Sequence, residues 1–177
     1  PADARTVVPL IMQTSEEVAH ILTGTQERSK VIAQLAHFFH QPNNRLSYQN
    51  TLIADVDGQV AGMIISYFGA DAPRLDQPIT AYLQQLGLAT VLEKEADNDE
   101  WYIDSLAVSP YYSGRGIGTA LIYAVEQRAQ HVGQSKVALL VDEENTRAHR
   151  LYLRLGFQPE RSINLYQHPH LHMIKNL

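Results

Sequence analysis

Apolar residues recur at helical spacing through the first forty positions and at strand spacing after them. Val7, Val8, Leu10 and Ile11, then Val18, Ile21 and Leu22, place an amphipathic helix over residues 3–23 with a restart at Ser15. Glu16 and Glu17 would then sit in a first turn, where the helix dipole favours negative charge. Val31, Ile32, Leu35, Phe38 and Phe39 mark a second helix that ends before Pro42. Leu52–Ala54 and Val60–Tyr67 are strand-like runs joined at Asp57-Gly58, a two-residue hairpin signal. Trp101–Val108 is a strand stopped by Pro110, and Val137–Val141 is apolar enough to be buried on both faces. Between these two strands, Leu121, Ile122, Val125 and Ala129 define a helix. Asn145–Leu155 is a further helix with Gly156 as its stop, and two last strands fit 157–166 and 170–175.

Residues 69–100 break the pattern. Pro73 and Pro78 interrupt them, a short helix fits Ile79–Leu86, and Glu93, Glu95, Asp97, Asp99 and Glu100 form an acidic tract. No separate core follows, so this stretch reads as an irregular insertion or mobile flap within one domain spanning 1–177. The element order implies a mixed α/β fold. Strands 101–108 and 137–141, flanking a helix, are expected as parallel neighbours with a right-handed crossover.

Composition narrows the chemistry. The 177 residues contain no cysteine, which excludes disulfides, a thiolate metal site and a cysteine nucleophile. The formal charge is −5 without a run of clustered Lys and Arg, so no nucleic-acid partner is expected. No apolar stretch approaches the ~20 residues of a spanning helix. No signal-peptide pattern opens the chain, and a cytoplasmic protein without a membrane partner is expected.

The turn after strand 101–108 holds Ser113, Gly114, Arg115, Gly116, Ile117 and Gly118 and leads straight into a helix at Thr119. Strand, glycines, then helix amino end is a recipe for binding an anion, since free N–H groups and the dipole point at it. The spacing matches neither a P-loop nor a dinucleotide fingerprint. A tight connecting loop would explain the turn equally well when it is taken alone.

Its context carries more. Trp101–Pro110 followed by Gly114-Arg-Gly-Ile-Gly118-Thr119 and Leu121 resembles motif A of the GNAT superfamily of N-acetyltransferases. Asn145, Ala148, Leu151, Tyr152, Gly156 and Phe157 fall in the pattern of that family's motif B. The likeness covers roughly residues 50–67 and 101–175. It implies a twisted mixed sheet flanked by helices and splayed open between strands 101–108 and 137–141. It implies acetyl-coenzyme A as acetyl donor, with the pantetheine arm against the backbone of Leu106, Ala107 and Val108. The diphosphate would rest on the amides of Ser113 to Thr119, with Asn145 and Ala148 on the arm. Two departures stand out. Ser113 occupies a place where the family usually has Arg or Gln, and the family's first strand has no counterpart before the opening helix.

The resemblance implies transfer of acetyl to a primary amine of a small molecule or peptide. Tyr152 would protonate the leaving thiolate and the Val108 N–H would meet the oxyanion. A catalytically idle coenzyme A-binding module and an enzyme using a longer acyl group are the competing readings. Asn145, Ala148, His149 and Tyr152 share one helical face. Period two places Tyr102, Asp104, Leu106 and Val108 on one strand face, which makes Asp104 the candidate base, with an exposed strand-end aspartate as the plainer reading. His149 is another candidate against a plain surface histidine, and an amine arriving neutral through bulk water needs no dedicated base. His168, His170 and His172 alternate, but Pro169 interrupts them and no ligand neighbours them in sequence, so no metal is expected. The acidic tract offers a field for a cationic amine, although such runs are usually solvated. Tyr67, Phe68, Tyr82 and Trp101 are aromatics for an acceptor pocket or for the core. A homodimer through the carboxy-terminal strands is a further expectation.

Overall fold

The computed structural model describes residues 2–88 and 91–177. The chain opens with α1 (Ala4–Thr14) and α2 (Glu16–Thr23). Ser15 separates them with an extended backbone, and its hydroxyl oxygen accepts the Val18 N–H at 3.2 Å, capping α2 at the expected restart. Helix α3 (Arg28–His40) follows and ends short of Pro42.

Strands β1 (Thr51–Val56) and β2 (Gln59–Phe68) form an antiparallel hairpin. Asp57 and Gly58 both have positive φ, 53° and 76°, the backbone of a turn whose twist matches its strands. The remaining elements are α4 (Ala72–Gln85), β3 (Trp101–Val108), α5 (Ile117–His131), β4 (Lys136–Asp142), α6 (Thr146–Arg154), β5 (Gln158–Leu165) and β6 (His168–Asn176). The six strands form one sheet in the order β1-β2-β3-β4-β6-β5, with β3 and β4 as the parallel pair. One face is covered by α1 to α4 through Val7, Leu22, Leu35 and Leu83; the other carries α5 and α6 through Ile122, Val125 and Leu155. Among the described residues, no helix is long and apolar enough to cross a membrane.

Helix α4 departs from the sequence expectation of irregular chain with a short helix at 79–86. It begins seven residues earlier, at Ala72. Pro73 lies in its first turn, where its missing N–H costs nothing, and Pro78 is carried inside. Leu75, Ile79 and Leu83, four residues apart, are all buried, and this packing outweighs the proline penalty. Residues 91–97 have no regular structure, yet the Glu95 side chain is 9% exposed and Ala96 and Glu100 are buried, so the acidic tract is not solvated throughout.

Candidate active site in the splayed sheet

Strands β3 and β4 pair over Trp101–Ile103 against Val137–Leu139 and then part. The cause lies in β3. Its pairing with β2 runs from Ile65↔Ser105 to Ser66↔Ile103, leaving Asp104 as an extra residue, and such a bulge bends and twists its strand. The bulge also resets the side-chain alternation, so the predicted common face of Tyr102, Asp104, Leu106 and Val108 does not exist. Asp104 joins Tyr102 on the α1–α4 side, whereas Leu106 and Val108 lie over Gly118 on the α5 side.

Beyond the bulge the backbone direction is set by the Ser109 N–H, which donates to the Ala61 carbonyl on β2 at 2.8 Å. By the two-residue period, Ala107 also turns to β2, paired with Met63, while Leu106 and Val108 direct N–H and C=O into the gap. Of the three backbone contacts implied by the resemblance, two therefore face the opening.

The glycine turn flanks this gap. Gly114 and Gly116 have φ of 77° and 78°, which favours glycine, and a Cβ on either would meet open space. Ala120 makes the first backbone bond back, to Gly116. Among the described residues, the N–H groups from Gly114 to Thr119 have no partner, an array suited to phosphate oxygens. Arg115 stacks over Tyr112 at 5.3 Å. Sequence reasoning missed Arg147: from α6 it reaches the Ser113 hydroxyl at 3.4 Å, placing a guanidinium beside the same turn.

Helix α6 supplies the opposite wall. The Asn145 side-chain oxygen accepts the Ala148 N–H at 3.1 Å and caps the helix. At its far end Gly156 has φ 93°, and the Phe157 N–H donates to the Tyr152 carbonyl at 3.0 Å, closing the helix and bringing the ring of Phe157 edge-on to Tyr152, 5.8 Å between centroids. Tyr152 is 8% exposed, and its hydroxyl has no hydrogen-bond partner among the described residues. Burial raises its pKa to about 12, so it carries its proton at every physiological pH. A cleft of ≈ 390 Å³ is lined by Asn145, Ala148 and Tyr152 on one side and by α1, α2 and β3 on the other. His149 does not line it.

A buried charge cluster forms another wall of the cleft. Arg45, from the turn after α3, donates through Nε (2.9 Å) and Nη2 (2.6 Å) to Asp104 Oδ2. Its Nη2 lies 2.6 Å from Glu95 Oε1, and its Nη1 lies 3.5 Å from Asp76 on α4. The Tyr67 hydroxyl donates to Asp104 Oδ2 at 2.8 Å, Ser105 donates to Oδ1 at 2.8 Å, and Tyr102 donates to Glu95 Oε2 at 2.9 Å. Burial opposes the charge on Arg45, but Asp104, Glu95, Tyr67 and Asp76 together hold its pKa well above the ordinary value. Burial raises the pKa of Glu95 against the lowering pull of Arg45, and does the same for Asp76. Nothing local marks Arg45 in the sequence; its partners lie 31 to 59 residues away.

The stretch from Asp97 to Glu100 is held by a backbone contact at Gly69. The Gly69 N–H donates to the Glu100 carbonyl at 2.8 Å, and a Cβ at residue 69 would stand 1.9 Å from the Asp97 carbonyl oxygen. Gly69→Ala must push residues 95–100 outward, and a loss of about 1–3 kcal/mol in thermal denaturation is the expected cost of such overpacking.

The other residues singled out by sequence divide between cleft and core. Tyr67 joins the charge cluster, whereas Trp101 donates to Ser66 beneath α5, Tyr82 packs edge-on against Phe38, and Phe68 packs with the α5-side core. His168 pairs with Glu17 at 3.0 Å and, with His170, lies at the cleft. His172 is fully buried, with Nε2 3.2 Å from Glu100 and Nδ1 2.9 Å from Glu160. Asp97 and Glu160 approach that imidazole too, but both are already paired with Arg161.

A sheet splayed at a bulge, with free amides at its mouth and a buried tyrosine on the facing helix, is the arrangement that the resemblance to the N-acetyltransferases implies. The Acetyltransferase (GNAT) family pattern matches residues 15–157, and the chain belongs to that family. The chain is 38% identical over 64 residues to mycothiol acetyltransferase from a Parafrankia species, covering 36% of this chain and 20% of that protein. It is 37% identical over 75 residues to an uncharacterized N-acetyltransferase from Methanocaldococcus jannaschii, covering 42% and 31%. The aligned stretches thus span under a third of these curated relatives. The crystal structure of an N-acetyltransferase from Staphylococcus aureus Mu50 superimposes with a TM-score of 0.87 at 29% identity, over 98% of this chain and 96% of that one.

Proposed function

We propose that the protein transfers the acetyl group of acetyl-coenzyme A to a primary amine. The observation that carries this reading is the parting of β3 and β4 beside an unpartnered, protonated Tyr152. The residues present fit the donor. Free amides from Gly114 to Thr119 suit its diphosphate, with Arg147 and Arg115 adding charge, and the Leu106 and Val108 backbone suits the amide-bearing arm. Asn145 and Ala148 border the same passage.

When bound, acetyl-coenzyme A supplies an activated acetyl thioester, which a neutral amine attacks to give an amide and a free thiol. The Val108 N–H, directed into the gap, meets the negative charge that develops on the acetyl oxygen. Tyr152 donates to the sulfur as the carbon–sulfur bond breaks. Its pKa of about 12 keeps that donor loaded. Full transfer to a thiolate, whose pKa is roughly 8.5, is uphill, so the hydroxyl passes its proton to sulfur as the proton leaving the nitrogen returns to its oxygen through solvent in the cleft, which leaves amide, thiol and phenol. Asp104 is not read as the base: with four donors on its carboxylate it positions Arg45 and Glu95, and the amine sheds its proton to solvent in the cleft.

The test is calorimetry with coenzyme A, followed by thiol release from acetyl-coenzyme A across a panel of primary amines. Saturable binding and amine-dependent thiol release are expected. A folded protein that binds no coenzyme A, or binds it and acetylates nothing, sinks this reading.

A further inference from the structure

The charge cluster at the cleft holds more acid than base. One guanidinium, Arg45, faces three carboxylates, Asp104, Glu95 and Asp76. A carboxylate offers about four lone-pair sites, and they are filled unequally here. Asp104 accepts four hydrogen bonds, three of them on Oδ2. Glu95 accepts one on each oxygen, from Arg45 and from Tyr102, and so keeps acceptor capacity on both while its side chain is 9% exposed. A buried carboxylate in that position takes up either a proton or a cation. Its raised pKa has the same origin.

A second feature of the same cleft points to a ligand. Tyr166 and Gln167, with φ of 48° and 70°, form the two-residue turn between β5 and β6, and the Tyr166 N–H donates to Glu93 at 2.8 Å. The Tyr166 ring lines the cleft, and its buried hydroxyl has no hydrogen-bond partner among the described residues. Tyr152, 8% exposed as a residue, lines the facing wall. One cleft therefore presents the Tyr152 hydroxyl at one place and an under-used carboxylate with a spare hydroxyl oxygen at another.

We infer that the acceptor is a small diamine or polyamine, whose non-reacting ammonium group is held by Glu95 with the Tyr166 hydroxyl oxygen. This deepens the reading of the site as an amine acetyltransferase and rests on it. The division of labour follows from charge. The attacking nitrogen must be neutral, and surplus negative charge beside it would hold its proton on; the same surplus suits a nitrogen that stays charged. Glu17 and Asp142, also on the cleft, add to the acidic field that draws a polycation in.

The experiment compares kcat/KM for putrescine against butylamine, and cadaverine against pentylamine, by thiol release at low salt. Within each pair the carbon count matches and the diamine offers two equivalent reacting ends, so a ratio well above two reports the second ammonium. A preference for the diamine of about tenfold or more is expected, the value of one charge-assisted hydrogen bond. The preference should shrink as salt rises. Glu95→Gln should bring the ratio toward one, with circular dichroism and coenzyme A affinity confirming that the variant is folded; if it does not fold, the wild-type ratios decide alone. Equal turnover of diamine and monoamine overturns this inference and leaves acetyl transfer standing. Thiol release with none of the amines overturns both.

Discussion

Tyr152→Phe is expected to bind coenzyme A with nearly unchanged affinity while kcat falls about 100-fold, the lower range for loss of a positioned acid. The ring stays in place, because its packing on Phe157 and the helix end at Gly156 do not involve the hydroxyl. Loss of one unpartnered hydroxyl from a buried site leaves no orphan behind, so the thermal midpoint should not fall. The pH dependence gives an independent check. The folded pKa of about 12 lies above the ordinary value of 10, so wild-type activity should show no loss from tyrosine ionisation below about pH 11. Between pH 10 and 12 the unfolded chain ionises first, and this residue lowers wild-type stability as pH rises; the phenylalanine variant lacks that contribution. Wild-type turnover in Tyr152→Phe would remove the hydroxyl from the mechanism.

Arg45→Met is expected to be the most destabilising single change at the site. It leaves Asp104 and Glu95, 7% and 9% exposed, without their cation. Breaking a buried pair from one side costs about 3–5 kcal/mol, which in a chain of this size corresponds to a fall of roughly 10 °C in Tm. The deficit should be greatest at neutral pH and diminish on acidification, because Glu95, already raised by burial, loses the cation that lowers it and is neutralised on the way down. Adding Asp104→Asn and Glu95→Gln to Arg45→Met should recover part of the loss, since a neutral cluster has no charge to strand. A triple variant less stable than Arg45→Met would show that packing, not charge, holds this wall.

Much of the donor side was legible because it is built from contiguous residues. The glycine turn beside the gap and the stop at Gly156 each follow from backbone preferences of neighbours in sequence. The acceptor side was not. Asp104 was assigned a face by counting in twos along a strand, and one inserted residue in the ladder reversed the faces beyond it. Helix α4 was hidden by its prolines, whose cost is local, while the burial of Leu75, Ile79 and Leu83 that offsets it depends on neighbours elsewhere in the chain.

Sequence alone therefore determined the order of the six strands, the parallel pair and the glycine turn, since periodicity and turn chemistry act over a few residues. Tertiary structure decided which charges meet. Arg45 carries no motif, and its value comes from three acids contributed by α4, the tract before β3 and β3 itself. Electrostatic partners are chosen by proximity and burial, and both exist only after the chain has packed.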